Sequence, residues 1–240
     1  MMLGARTAAW AKSGGVPTAK DYVQDGLVAM WDGIENAGWG VHDPNATVWK
    51  DLSGNNNNII VPASWNDSGF KLDGVSTTIN VNKSLIDSVT QEESTLEIVF
   101  SIDKYIFSRN VAFLYVSGRQ YQRQWLFLGW GDGGFRGGVP AKWNNDIGIA
   151  QKPVGSLHFA IVNSNGVTSS FQNGQYLSSI QNTSEEIDKT EKIIFCGDFS
   201  SYWSDKIKGT YSAIRLRNKA LSTVEIAANY AIDKARFGLP

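Results

Sequence analysis

One stretch decides the fold: Gly209-Thr210-Tyr211-Ser212-Ala213-Ile214-Arg215-Leu216-Arg217-Asn218-Lys219-Ala220-Leu221-Ser222-Thr223-Val224-Glu225-Ile226. Apolar residues at positions 214 and 216 alternate with Arg215 and Arg217. This period of two predicts a strand with one buried face and one solvent-exposed face, on which the arginines lie. Ser222 lies three residues before Glu225, the spacing of a capping box, so a short helix is expected to begin near Thr223.

The sequence upstream of this stretch predicts consecutive antiparallel hairpins. Asn165-Gly166 and Asn173-Gly174 separate three segments of strand-like sequence at 156–162, 167–171 and 175–180. Asn-Gly readily takes the positive φ angles of a type I′ turn, which joins neighbouring antiparallel strands. Short strands and tight turns therefore predict an all-β protein.

Several short motifs carry a family resemblance. They are Asp51-Leu52-Ser53-Gly54-Asn55, Phe70-Lys71-Leu72-Asp73-Gly74, Phe171-Gln172-Asn173-Gly174 and the closing strand and helix. In this order and spacing the chain resembles laminin-G-like (concanavalin A-like) domains. The resemblance implies a two-sheet antiparallel jelly-roll sandwich, with an N-terminal arm and one short C-terminal helix.

The chain is expected to divide at about residue 24. Residues 1–24 lack strand or helix periodicity and are interpreted as an arm or docking segment, and residues 25–240 as the jelly-roll domain. Leu3, Trp10 and Val16 are the candidate docking residues, because an apolar anchor can supply much of an interface's energy. The alternative is a frayed terminus.

Composition excludes several classes of function. The net charge is −1 and no basic cluster is present, which argues against nucleic-acid binding. Cys196 is the single cysteine, so the sequence has no disulfide framework. No apolar run is long enough for a signal peptide or for membrane insertion.

A second resemblance bears on function. The segments 2–14 and 25–33 are similar to the start of predicted virion proteins of gut bacteriophages and prophages. This implies a non-enzymatic virion protein, a fibre, tail, appendage or capsid decoration, made in the host cytoplasm. Its expected partners are other virion proteins through the arm, a second copy of the chain, and a cell-surface glycan. The alternative is a polysaccharide-binding module or glycoside hydrolase accessory protein of a bacterium.

Catalysis has little support in the sequence. Concanavalin-like glycoside hydrolases carry Glu-Xaa-Asp-Xaa-Glu on one strand, because alternate residues place both carboxylates on the substrate face. This chain has no such run, and it is predicted not to be an enzyme. Its two histidines are His42, in a loop, and His158, interpreted as a core residue.

Calcium is the one candidate cofactor. Related jelly rolls hold calcium through loop oxygens, and Asp32, Asp51 and Asp73 adjoin Gly-bearing turns. The alternative, which the sequence favours for Asp51 and Asp73, is that these carboxylates cap turns.

Glycan binding needs aromatic faces for the apolar side of a sugar ring and amide or carboxylate groups for its hydroxyls. Loop tips of a sandwich can supply both. Trp65 and Trp203 lie in segments of this composition, while Trp31 and Trp49 are expected in the core. The predicted ligand-binding residues are Trp143, Asn144, Asn145, Asp146, Trp130, Asp132 and Trp203.

Overall fold

The computed structural model describes residues 15–73, 79–81, 85, 93–104, 112–116, 127–131, 134–138, 147–149, 155–181, 193–195 and 208–240. It is a sandwich of two antiparallel sheets with a C-terminal helix, which confirms the predicted fold class. Strands are numbered in chain order.

The larger sheet has eight strands. From one edge these are β14 (Gln175–Gln181), β13 (Val167–Gln172), β12 (Gly155–Ser164), β7 (Glu93–Lys104), β16 (Lys208–Arg217), β5 (Gly69–Asp73) and β4 (Trp65–Asn66). The eighth strand, β1 (Leu27–Asp32), also pairs with β16. The first and last described strands of the chain therefore lie side by side.

The second sheet has six strands: β11 (Ile147–Ile149), β10 (Gly134–Gly138), β9 (Phe127–Gly131), β8 (Ala112–Val116), β15 (Ile193–Phe195) and β6 (Ile79–Val81). A separate ribbon pairs β2 (Val48–Trp49) with β3 (Ile59–Ile60). Every strand pairing in the described part of the chain is antiparallel.

Asn-Gly turns close both predicted hairpins. Asn165 and Gly166 have φ of 50° and 75°, and Asn173 and Gly174 have φ of 50° and 74°. Two successive positive φ angles are what a type I′ turn requires. The β12–β13 and β13–β14 connections are therefore as predicted.

The main core lies on one face of the larger sheet. It combines alternate residues of β7, β12 and β16 with β6 of the smaller sheet, and its largest side chains include Trp31, Trp49, Phe70, Phe100 and Phe159. Trp31 and Trp49 are fully buried, as the sequence predicts.

Helix α1 (Thr223–Phe237) begins at the predicted residue. The Ser222 hydroxyl accepts from the Glu225 N–H at 3.3 Å, and the Glu225 carboxylate accepts from the Ser222 N–H at 2.8 Å. Its apolar residues pack on the face of the larger sheet that points away from the main core, where Ile226 meets Ala160 and Phe171. The larger sheet is thus covered on both faces.

The prediction that Arg215 and Arg217 lie on a solvent-exposed face is wrong. Both side chains are fully buried, because α1 covers that face of β16. The period of two correctly identified the strand and its two faces, but one strand's sequence does not reveal a helix that covers the second face.

The end of the predicted arm packs on the domain. Ala19–Asp21 forms a 3₁₀ turn capped by Thr18, and the side chains of Ala19 and Tyr22 are buried. Val16 is 78% exposed, whereas the predicted docking residues Leu3 and Trp10 lie outside the described residues. None of the described helices has the length and apolar content to span a membrane.

Candidate functional site

A cluster of polar and charged side chains lies between the larger sheet and α1. We call it the ionic cluster, and its members are all fully buried: Glu97, His158, Arg215, Arg217, Asn229 and Asp233. They come from β7, β12, β16 and α1.

Glu97 is the centre of the ionic cluster. Its carboxylate accepts from Arg215 Nε at 3.2 Å and from Arg217 Nη1. Asn229 Nδ2 donates to both carboxylate oxygens, at 2.9 and 3.1 Å, and His158 Nε2 lies 3.2 Å from Oε1. Since an ionised carboxylate only accepts, His158 Nε2 is the donor in this bond.

Asp233 forms a second centre and reaches the N-terminal segment. It accepts from Arg215 Nη1 at 2.8 Å and Nη2 at 2.5 Å, and from the Tyr22 hydroxyl at 2.7 Å. The Arg215 guanidinium lies 4.1 Å from the centroid of the Tyr22 ring. Arg217 Nη2 donates to the Val23 carbonyl at 2.7 Å.

The ionic cluster is closed to solvent and links α1 and the N-terminal segment to the larger sheet. Burial alone would raise the pKa of Glu97, but the charges of Arg215 and Arg217 outweigh it and hold that pKa well below its ordinary value. Because the members of the cluster are buried, none presents a surface to a solute. Their role is to hold α1 and the N-terminal segment on the sheet.

A second ionic group begins one turn of α1 later, and its side chains are also almost fully buried. Arg236 Nη2 donates to both oxygens of Asp32 at 2.8 and 2.9 Å, and Arg236 Nη1 donates to Glu35 Oε1 at 3.0 Å. Burial raises the pKa of Asp32 to about 6, although Arg236 opposes this. Burial also favours a higher pKa for Glu35, but the N–H groups of Ala19 and Gly40 and the Arg236 guanidinium together lower it.

Glu35 connects two segments of the surface. Its Oε1 accepts from the Ala19 N–H at 2.9 Å, and its Oε2 accepts from the Gly40 N–H at 2.8 Å. One carboxylate therefore fixes both the 3₁₀ turn and the loop of residues 33–46, which we call the Trp39 loop.

The Trp39 loop presents an aromatic side chain on a hydrogen-bonded turn. The Val41 N–H donates to the Gly38 carbonyl at 3.0 Å, and Gly40 has φ of 70°. A glycine with positive φ at the third position is what a type II turn requires. Trp39 and Val41 are 40% and 51% exposed.

The base of the loop is held by further hydrogen bonds. Asn36 donates through Nδ2 to the Asp43 carbonyl at 2.8 Å and accepts from the Asp43 N–H at 2.8 Å. His42 Nδ1 lies 3.1 Å from the Gly33 carbonyl. The loop therefore holds its exposed residues in a fixed geometry.

Lys20 completes the surface. It lies in the 3₁₀ turn, and its Nζ is 5.3 Å from the centroid of the Trp39 ring. The exposed indole can stack on the apolar face of a ligand ring, while the neighbouring ammonium can bind a polar substituent of that ring.

Only one of the seven predicted ligand-binding residues, Trp130, lies in the described part of the chain. Trp143, Asn144, Asn145, Asp146, Asp132 and Trp203 lie outside the described residues. The backbone of Trp130 lies in β9, a strand instead of the expected loop tip. The candidate segment around Trp65 also forms a strand. There Trp65 packs edge-on against Trp49 at 5.2 Å and Phe70 at 5.3 Å, so much of its ring is not available to a ligand.

Two of the three candidate calcium ligands, Asp51 and Asp32, have other partners, and Asp73 is placed only as the last residue of β5. Asp51 accepts from the Met30, Ser53 and Asn57 N–H groups at 2.8–2.9 Å, so it caps a turn, and Asp32 pairs with Arg236. The described residues contain no group of three or more His, Cys, Asp or Glu side chains arranged to hold a metal.

Sequence analysis overlooked the Trp39 loop. The signal was present in Gly38-Trp39-Gly40, a tryptophan without apolar neighbours in a glycine-bearing loop. Trp143 was selected because its neighbours are polar, and that criterion passed over Trp39, whose neighbours are glycines.

Comparison with solved structures shows which folds are similar. The sialidase of Trypanosoma rangeli in complex with sialic acid aligns with 92% of this chain and 34% of its own, at 18% identity and a TM-score of 0.66. The receptor-binding domain of botulinum neurotoxin C/D mosaic serotype aligns with 87% of this chain and 52% of its own, at 16% identity and a TM-score of 0.62. This chain thus spans about a third of the sialidase and half of the neurotoxin chain.

These matches establish a shared β-sandwich fold, and they add nothing to the laminin-G-like and phage resemblances. No protein-family model matches the sequence. No curated protein matches it either.

The prediction that the chain is not an enzyme is corrected by this comparison. It relied on the missing Glu-Xaa-Asp-Xaa-Glu strand, which tests for one group of hydrolases only. The sialidases, which are enzymes, contain this fold in about a third of their length. A missing paired-carboxylate strand therefore does not exclude enzymes from the functions of this fold.

Proposed function

We propose that the protein binds glycans through the Trp39 loop. The observation that carries the proposal is the partly exposed Trp39 ring on a loop anchored by Glu35. A tryptophan face offers apolar area to a sugar ring, and the exposed His42 and Asn45 of the same loop can form hydrogen bonds. The fold neighbours support the proposal, since one is a sialidase solved with sialic acid and another is a receptor-binding domain.

A glycan array with matched variants tests this proposal. Tyr176 is an exposed aromatic on β14, and four strands separate β14 from β1, which leads into the Trp39 loop. We expect Trp39→Ala to weaken binding at least about tenfold, the effect of removing an aromatic anchor. Tyr176→Ala should bind as the wild type does. The proposal is wrong if no glycan binds, or if both variants bind equally well.

We propose a second glycan contact at the segment of residues 143–146. Trp143 has only polar neighbours on its C-terminal side, Asn144, Asn145 and Asp146. If this region shares a ligand with the Trp39 loop, Trp143→Ala should weaken binding of the same glycans on the same array. Unchanged binding by Trp143→Ala would limit the site to the Trp39 loop.

We also propose that the protein is displayed on a bacteriophage particle. The similarity of residues 2–14 and 25–33 to phage virion proteins supports this, and a glycan-binding domain suits attachment to a host surface. Assembly would use Leu3, Trp10 and Val16, after synthesis in the host cytoplasm. Mass spectrometry of purified particles tests the proposal, and consistent absence of the chain from them would overturn it.

A further inference from the structure

We propose that the saccharide recognised by the Trp39 loop is acidic, and that Lys20 pairs with its negative charge. This inference depends on the proposed glycan binding and adds the chemical class of the ligand. A pyranose ring would stack on Trp39, and a carboxylate or sulfate on that ring would meet the Lys20 ammonium.

Lys20 has no carboxylate partner among the described residues, whereas Arg236 and Lys219 are both paired. Arg236 is paired with Asp32 and Glu35, and Lys219 with Asp25 and Glu225. Lys20 is exposed, and its ammonium lies 5.3 Å from the centroid of the Trp39 ring. Its charge is therefore available to a ligand.

Two acidic groups near Lys20, Asp21 in the same 3₁₀ turn and Glu35 bonded to the adjacent Ala19 N–H, are already engaged. Asp21 accepts from the Thr18 N–H at 2.7 Å and from the Thr18 hydroxyl at 3.0 Å, within the capping box of the 3₁₀ turn. Glu35 is held by Arg236 and by two backbone N–H groups. Both carboxylates have hydrogen-bond donors of their own and do not bond to the ammonium.

A single buried carboxylate holds together the two backbone segments that carry the cation and the indole. Glu35 binds the N–H of Ala19, next to Lys20, and the N–H of Gly40, next to Trp39. The backbone positions of Lys20 and Trp39 are therefore fixed near each other before any ligand arrives. Such preorganisation reduces the entropic cost of binding.

The contact between the Lys20 ammonium and the Trp39 ring can be replaced by a contact between the ammonium and an acidic ligand. The Lys20 ammonium now lies over the Trp39 ring, where cation–π attraction holds it at an exposed site. An anion is a stronger partner for an ammonium than a ring is. An arriving acidic group would therefore draw the ammonium away and leave the indole face free for the sugar.

The test compares acidic saccharides with their neutral counterparts on one array. The matched set is lactose, 3′-sialyllactose and 3′-sulfolactose, together with neutral and uronic-acid oligosaccharides of equal length. We expect the wild type to prefer the acidic members. Lys20→Gln should bind those about two- to five-fold more weakly, the range for an exposed ion pair, and should bind neutral members as before.

Two controls separate the local charge from net charge. Lys71→Gln removes an exposed lysine from β5 and should keep the wild-type preference. Raising the ionic strength to about 1 M, where the screening length is about 3 Å, should reduce the preference of the wild type but not the binding of Lys20→Gln. A stronger response to sulfolactose than to sialyllactose, or the reverse, identifies the anionic group.

The outcomes distinguish this inference from the proposed function. Equal binding of neutral and acidic saccharides that depends on Trp39 but not on Lys20 overturns the inference and leaves glycan binding in place. Binding that does not depend on Trp39, or no binding to any array member, overturns both.

Discussion

Asp32 shows how one buried carboxylate serves both the fold and the candidate site. It ends β1, accepts from the N–H groups of Ile34 and Glu35 at 3.0 Å, and binds Arg236. Its side chain is fully buried, so desolvation raises its pKa to about 6 despite the arginine. Asp32 thus starts the Trp39 loop while remaining partly protonated in mildly acidic solution.

Replacing Asp32 with asparagine should remove a pH dependence of stability. Because the folded pKa is raised above the ordinary value of 3.8, the folded protein binds more protons than the unfolded chain between about pH 4 and 6. The free energy of unfolding contributed by this group therefore falls as pH rises through that range, by about 3 kcal/mol. Urea denaturation of wild type and Asp32→Asn at pH 4, 5, 6 and 7 measures the difference.

The outcome that contradicts this account is a constant difference between the two proteins across the range. Carboxyl NMR gives an independent reading, since Asp32 should titrate near pH 6. Glu97 should remain ionised at the same pH, because its two arginine neighbours lower its pKa.

For single residues, the sequence predicted which tryptophans are buried but not which charged residues pair with each other. The core positions of Trp31 and Trp49 followed from their strand and turn neighbours. The burial of Arg215 did not, because its partners Glu97 and Asp233 lie 118 and 18 residues away. Such pairing is set by tertiary structure and leaves no local pattern.

Among the elements, the segment of residues 18–24 has the contacts of an integral part of the domain. Tyr22 bonds to Asp233, and the backbone of Val23 bonds to Asn229 and Arg217. These partners lie in α1 and β16. The segment was predicted to belong to the arm because it is too short to show a strand or helix periodicity.

Two deletions test the role of this segment. A chain that lacks residues 1–14 keeps every described contact of the segment and serves as the control. A chain that lacks residues 1–24 loses the burial of Tyr22 and leaves Asp233 and Arg217 with fewer partners. We expect the longer deletion to be less stable than the shorter one by about 3–5 kcal/mol in urea denaturation. Equal stability of the two would show that the segment is dispensable for folding.

For the candidate site, the sequence predicted the kind of element but not which one. Loop tips of the sandwich were expected to bind ligands, and the Trp39 loop is such an element. The choice among loops was not available from sequence, because the position of Glu35 beneath two segments depends on the completed fold.

For the whole molecule, Glu97 joins four elements of the described part of the chain. Through its carboxylate it connects β7 to β12, β16 and α1. Sequence patterns predicted the sheets, the hairpins and the helix individually. They did not predict that α1 and the larger sheet are joined through a buried ionic interface.

Glu97→Gln should therefore destabilise the whole domain. The variant keeps the shape of the side chain but leaves the charges of Arg215 and Arg217 with less compensation, and breaking a buried pair costs about 3–5 kcal/mol. Lys219→Gln is the control, because Lys219 forms partly exposed pairs worth about 1 kcal/mol or less. Tryptophan fluorescence and far-ultraviolet circular dichroism should report the same loss, and an unchanged Glu97→Gln would contradict the role assigned to the ionic cluster.

The adjacency of the first and last described strands has a consequence for protein synthesis. Tyr22 bonds to a residue 211 positions later, and β1 pairs with β16. A ribosome releases β1 long before it makes either partner, so the first strand waits with an unpaired edge while most of the chain is translated. We expect the domain to complete its folding only after the last helix has left the exit tunnel, which leaves the nascent chain dependent on chaperones until then.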